Sequence, residues 1–272
     1  MIPAAFDYVR ADSIDHAVAL LAEHGDDAKL LAGGHSLLPM MKLRLAFPSV
    51  LIDIRTIADG SYVRVDGDAV AIGALTRHRD LVTSEVLRAE APLISLVAAH
   101  VGDPQIRNRG TIGGSLAHSD PAADLPAAVL ASDATLVAQG VDGRREIPAG
   151  DFFTGYFETA LAETEMLVEI RVPRTGASGA HYEKFSRRAN DWAIVGVATV
   201  GGRVALANMG SAPLRASAVE TALAEGASIA EAAELAAQDT APVADMNADA
   251  DYRNHLARVL TRRALTTAAG AV

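Results

Sequence analysis

Two pairs of adjacent glycines are the parts of this 272-residue chain best suited to act on a ligand. One stands in Ala32-Gly33-Gly34-His35-Ser36, the other in Thr111-Ile112-Gly113-Gly114-Ser115. Adjacent glycines permit positive φ and let a backbone approach a ligand with no Cβ in the way. Successive N–H groups in such a turn form a concavity suited to phosphate oxygens. Two such loops would grip a pyrophosphate from two sides, with the hydroxyls of Ser36, Thr111 and Ser115 as further donors. Gly-Gly also makes plain tight turns, and spacing alone leaves both readings open. Gly201-Gly202, flanked by strand-like runs, reads as a hairpin. Neither G-x-G-x-x-G nor G-x-x-x-x-G-K-S/T occurs, so the usual dinucleotide and P-loop fingerprints are missing.

Other chemistry-bearing residues are less pointed. The eight histidines show no H-x-x-x-H or H-E-x-x-H spacing, so no metal site is expected. His35 and His118 follow the glycine pairs and are expected near whatever these hold. His16, His24, His78, His100, His181 and His255 read as surface groups or satisfied structural ones. Asp120 and Asp124 have the look of paired carboxylates for acid–base work, yet Asp124 also begins a helical run, where capping alone would account for it. Trp192 is the only tryptophan. Such a residue is usually core, but beside Asn190-Asp191 at a strand start it can offer a flat face to a ring.

The elements that must position these residues follow from pattern. Asp12 or Ser13 caps a helix with apolar Ile14, Val18 and Leu21 at helical spacing, ending near Gly25. Lys29–Ala32 and Val50–Ile54 read as strands, and Asp66-Gly67-Asp68 as the turn of a hairpin between Tyr62–Val65 and Ala69–Gly73. Thr76–Val82, Pro92–Val101 and Asp124–Ala131 read as helices around a glycine loop at 110–114. Strands at Ala134–Ala138, Arg145–Pro148 and Met166–Val172 precede a linker, Pro173–Gly179. Three strand-like runs follow (His181–Ser186, Ala193–Val200, Arg203–Met209), then Ala-rich helices at Leu214–Glu225, Ile229–Gln238 and Tyr252–Thr266. Grouped strands and helices without βαβ alternation indicate an α+β fold.

Composition narrows the function classes. Half the residues are hydrophobic and only 4% aromatic, so the core is built of Ala, Val, Leu and Ile. A net charge of -10 without a basic patch argues against nucleic acid or anionic membrane as a partner. The absence of cysteine excludes disulfides, an iron–sulfur cluster held by this chain and flavin attachment through Cys. The longest apolar stretches are of strand length and the N-terminus carries no readable signal peptide, so a soluble cytoplasmic protein is expected.

Two longer segments go beyond pattern. Leu31–Arg44, L-A-G-G-H-S-L-L-P-M-M-K-L-R, followed by Leu51-Ile52-Asp53-Ile54, resembles the FAD-binding subunits of the carbon monoxide dehydrogenase and xanthine dehydrogenase families, a branch of the molybdenum hydroxylases. So does Asp103–Pro126, D-P-Q-I-R-N-R-G-T-I-G-G-S-L-A-H-S-D-P-A-A-D-L-P. Tyr182–Arg188, with Asp191-Trp192-Ala193, is similar to the start of the family's C-terminal domain. The likeness extends over essentially the whole chain.

The resemblance implies a two-part FAD-binding region of the vanillyl-alcohol-oxidase/PCMH type, residues 1–57 and 58–175. A C-terminal domain, 179–272, would hold a three-stranded antiparallel sheet with helices. Non-covalent FAD would lie between the first two parts. Leu31, Ala32, Gly33, Gly34, His35, Ser36, Leu37 and Leu38 would wrap its diphosphate, and Thr111, Ile112, Gly113, Gly114 and Ser115 would form the second diphosphate loop. Asp124 falls at an acidic FAD contact, Val101 and Leu167 at apolar ones, and Trp192 where some members place a Tyr against the flavin ring. Lys184 is a further candidate cofactor contact. The second loop commonly reads T-I-G-G-N, and Ser115 departs from it, losing an amide donor.

By the same resemblance, molybdopterin and [2Fe-2S] clusters would reside only in partner chains, a molybdenum-binding large subunit and a small iron–sulfur subunit, together forming a dimer of heterotrimers. This chain would be an electron-transfer subunit with no catalytic residue of its own. The alternative is a self-contained flavin oxidase of the vanillyl-alcohol-oxidase type, with His35 as a point of covalent attachment.

Overall fold

Ser13 starts the first helix of the computed structural model, Ile14–His24. Its side chain accepts the His16 N–H at 3.1 Å, and Gly25 ends the helix at φ +54°. The structure describes residues 2–176 and 178–270; Met1, Ala177 in the expected linker, Ala271 and Val272 lie outside the described residues. Ile14, Val18 and Leu21 pack with a three-stranded parallel sheet in which Val50–Asp53 lies between Asp7–Arg10 and Ala28–Leu31. All four residues of the central strand are buried, as the apolar run Val50-Leu51-Ile52 requires. Asp53 closes that strand as a buried carboxylate. Arg55 donates to it at 2.7 and 2.9 Å, the Tyr8 hydroxyl also donates, and the guanidinium holds the carboxyl well below the usual carboxylate range.

The middle of the chain forms a five-stranded antiparallel sheet, in the order Val63–Asp66, Ala69–Gly73, Met166–Pro173, Thr135–Gly140, Gly143–Pro148. The alternation of its strands divides the core. Leu136, Leu167 and Ile170 face the helices Pro92–Ala99 and Asp124–Ala131, whereas Val137, Met166 and Val168 face the N-terminal helix and sheet. Every residue of Asp124–Ala131 is buried, which explains why it reads as apolar all round.

Beyond the linker, the antiparallel sheet has four strands rather than the expected three: Ala180–Phe185, Val195–Val200, Arg203–Ala207 and Leu214–Arg215. Leu214 does not open a helix. Leu214 and Arg215 pair with Leu206 and Ala205, the Arg215 guanidinium holds Glu220 and Asp133, and the helix begins only at Ser217. A two-residue edge strand is too short to carry a period. The helix Ala250–Gly270 packs on this sheet and reaches the linker, where a Cβ on Gly179 would stand 2.1 Å from the Ala268 carbonyl oxygen.

Candidate functional site

An open cleft of about 840 Å³ separates the N-terminal sheet from the five-stranded sheet, within the size range of cofactor sites. Ala32, Gly33, Gly34, His35, Ser36 and Leu37 line one wall, and Thr111, Gly113, Gly114 and Ser115 the other. Val101, Asp124, Leu167 and Trp192 line it as well. Four expected site residues stand behind the wall. Leu31 packs with Met41 and Leu51, with Leu38 against them, Ile112 is in the main core, and Lys184 reaches the site only through Asp124.

The first glycine segment joins the strand Ala28–Leu31 to a short helix, Leu37–Lys42. Gly34 takes φ +77°, a left-handed conformation that an L side chain rarely adopts. The N–H groups of Gly33, Gly34, His35 and Ser36 find no acceptor among the described residues. Unpartnered amides in succession across a left-handed residue make an anion-binding concavity. Gly33 is glycine for another reason: a Cβ there would stand 2.5 Å from the Arg109 carbonyl oxygen and 2.8 Å from Gly110 Cα. The two walls therefore touch, backbone to backbone, at this point.

The second segment is not the loop that the sequence suggested. Gly113 and Gly114 lie in the helix Ile112–His118, capped by Thr111, whose Oγ1 accepts the Gly114 N–H at 3.1 Å. The N–H groups of Ile112, Gly113 and Ser115 donate to Thr76, Ala74 and Thr111 carbonyls. With its amides spent inside the protein, this wall offers room and hydroxyls rather than N–H groups. Gly113 provides the room by close packing, since a Cβ there would meet the Ala74 oxygen at 2.7 Å. The free backbone donors of the cleft thus come mainly from Gly33–Ser36, with the hydroxyls of Ser36, Thr111 and Ser115 around them.

Asp124 does not cap its helix; Ala123 occupies that position. The buried carboxylate accepts from the Tyr182 hydroxyl at 2.5 Å and from Lys184 Nζ at 2.9 Å, and Lys184 also donates to the His100 carbonyl at 3.1 Å. Burial pushes the Asp124 carboxyl up, against the pull of Lys184 and Tyr182, and burial together with the Asp124 charge pushes the Tyr182 hydroxyl well above its usual range. This cluster fixes one end of the cleft to the C-terminal sheet. Trp192, 57% exposed, presents its indole at the cleft from the turn between Ala180–Phe185 and Val195–Val200.

Further parts of the lining carry no signal in the sequence. A ribbon, Phe153–Gly155 with Glu158–Thr159, contributes Thr154, Phe157, Glu158 and Thr159, and Phe157 at φ +55° lies 5.1 Å from the His118 ring. Two- and three-residue strands leave no periodic signal. Met40 and Ala46 close the side beyond the first segment. His78, set down above as a surface or satisfied group, is 4% exposed on the cleft wall, and burial lowers its pKa to about 4.

Comparison with known proteins accords with this geometry. Residues 4–175 match the family described as "FAD binding domain in molybdopterin dehydrogenase" and residues 180–268 the "CO dehydrogenase flavoprotein C-terminal domain". The chain is 44% identical to the carbon monoxide dehydrogenase medium chain of Hydrogenophaga pseudoflava, covering 98% of each chain. It is 41% identical to the alpha subunit of the 6-hydroxypseudooxynicotine dehydrogenase complex of Paenarthrobacter nicotinovorans, covering 98% of this chain and 96% of that one. A solved structure of H. pseudoflava carbon monoxide dehydrogenase superposes with a TM-score of 0.97 at 46% identity, over 100% of this chain and 99% of that one. The chain therefore belongs to the FAD-binding medium subunits of molybdopterin dehydrogenases, as the flavoprotein component of an oxidoreductase.

Proposed function

We propose that this chain is the electron-transfer subunit of a molybdenum hydroxylase-type dehydrogenase, holding one non-covalent FAD between residues 1–57 and 58–175. The chemistry that the bound flavin supplies is electron transfer, between [2Fe-2S] clusters of a small partner subunit and an outside acceptor. A molybdenum-binding large subunit would carry the substrate oxidation, in a dimer of heterotrimers located in the cytoplasm. No described helix is long and apolar enough to cross a membrane.

The observation that carries the reading is the row of unpartnered amides at Gly33–Ser36 facing the hydroxyls of Thr111 and Ser115 across a cleft of cofactor size. In this reading the amides hold the diphosphate and Ser36 adds a hydroxyl donor. Val101 and Leu167 give apolar cover, the Asp124–Lys184–Tyr182 cluster fixes a polar end, and Trp192 lies over the ring. Relatives of similar identity are named for carbon monoxide and for 6-hydroxypseudooxynicotine, which accords with a substrate pocket in another chain.

Reconstitution is the test. The purified chain should take up one equivalent of FAD and release all of it on acid denaturation. Covalently retained flavin would favour the self-contained oxidase with attachment at His35. A folded chain that stays colourless with excess FAD would refute the reading.

A further inference from the structure

We propose that His78 is a further binding residue of this cleft, donating a hydrogen bond to a phosphate oxygen of the bound cofactor. The proposal rests on the reading that the cleft holds FAD. It deepens that reading by assigning a residue that neither glycine motif contains.

Place is the first support. The His78 backbone N–H donates to the Gly110 carbonyl at 3.0 Å, and the ring lies so close to Gly110 that a Cβ there would stand 2.7 Å from its Cδ2 and Nε2. Gly110 is also the residue against which Gly33 presses. His78 therefore sits where the two walls meet, beside the row of free amides. The second support is the ring's want of a partner. Neither ring nitrogen finds a hydrogen-bond partner among the described residues; Nδ1 is enclosed, so Nε2, which is not, is the nitrogen that a ligand in the cleft can reach. Buried polar atoms are normally bonded, and a phenyl or leucyl side chain would fill this place without leaving an orphan. Charge is the third support. The fixed charge felt by the ring is the Arg107 guanidinium, a cation in a chain of net charge -10. Burial keeps the imidazole neutral near pH 7, with one N–H and one lone pair, and the N–H suits a phosphate oxygen.

The test uses the full chain freed of flavin, with equilibrium dialysis of FAD and of ADP, which carries the diphosphate without the flavin ring. His78→Phe should weaken both ligands by about ten- to a hundredfold, the worth of one hydrogen bond to a charged group. His78→Gln, which keeps a donor, should recover most of that loss, with melting curves to establish that each variant is folded. A second reading needs no substitution: in 15N-histidine spectra of the wild-type chain, ADP should shift a ring nitrogen of His78 to a hydrogen-bonded value. Unchanged affinities in folded His78→Phe overturn the proposal, as does a loss for FAD alone, which would place the ring at the flavin end. If the Phe variant does not fold, the spectra decide, and an unmoved His78 signal overturns it. A wild-type chain that binds neither ligand overturns the reading of the cleft itself and this proposal with it.

Discussion

Gly33 and Gly114 face the same cleft for different reasons, and their alanine variants should part accordingly. A methyl at Gly33 meets the main chain of Arg109 and Gly110, which cannot yield without parting the walls. Gly33→Ala should therefore lower unfolding stability by about 1–3 kcal/mol and lose flavin as well. At Gly114 the methyl meets only the Thr111 hydroxyl at 2.9 Å and Ala32 Cβ at 3.9 Å. Helix propensity gained and a cap lost are each worth about 1 kcal/mol, so Gly114→Ala should unfold near the wild-type midpoint while retaining less FAD. Denaturant midpoints and flavin content, measured together, separate the two cases. His78 yields a prediction of a different kind. Its folded pKa is about 4 against an ordinary value of 6.5, so the unfolded chain binds the extra proton between those limits. The stability that His78 contributes is present above pH 6.5 and drains away as pH falls towards 4, by about 2 kcal/mol between pH 7 and 5. His78→Phe should flatten that slope by this share in flavin-free protein. Burial also lowers the pKa of His100 and His118, adding loss of the same sign in both proteins.

At the scale of elements, the turn carrying Trp192 is short and tied to itself. Arg188 pairs with Asp191 at 3.0 Å, and Ser186 Oγ donates to the Arg188 carbonyl at 2.9 Å. A held indole beside the cleft should lose most of its emission as FAD is titrated in. Because the chain has one tryptophan, the signal belongs to this turn alone. Emission unchanged at saturating FAD would place the flavin ring elsewhere. What the sequence disclosed about elements depended on length and period. The helix at Ile14, the hairpin at Asp66-Gly67-Asp68 and the buried strand at Val50 are each where pattern placed them. The strand Asp7–Arg10 was illegible because it is mostly exposed and exists by pairing with the central strand, a contact more than forty residues away. The helix Ile112–His118 reads as a loop in the sequence because glycine argues against a helix, whereas Thr111 and the Ala74 carbonyl hold its first turn. The site was legible as motif but not as physics. Asp124 and Lys184 could both be named, yet their mutual bond, and Tyr182 as third partner, depend on a strand 58 residues further along the chain.

For the whole molecule, the exposed basic pair on the turn beside the cleft gives the partner test. Arg187 and Arg188 are exposed on the turn that presents Trp192, and Arg188 is engaged by Asp191. Arg187→Glu should slow flavin reduction in the assembled complex by severalfold, with FAD content unchanged and the isolated chain unaffected. Stopped-flow absorbance at the flavin band checks this, and an unaltered rate would mean that the iron–sulfur subunit docks elsewhere. The backbone contact at Gly33 has a further consequence for the life of the protein. A ligand gripped between an N-terminal unit and a middle unit binds only when both are folded and apposed, so flavin supply and folding become linked quantities. At a thousandfold excess over its dissociation constant the ligand would add about 4 kcal/mol to the folded state. A cell short of flavin would hold a subunit of the same sequence but of lower stability, and therefore with a shorter life.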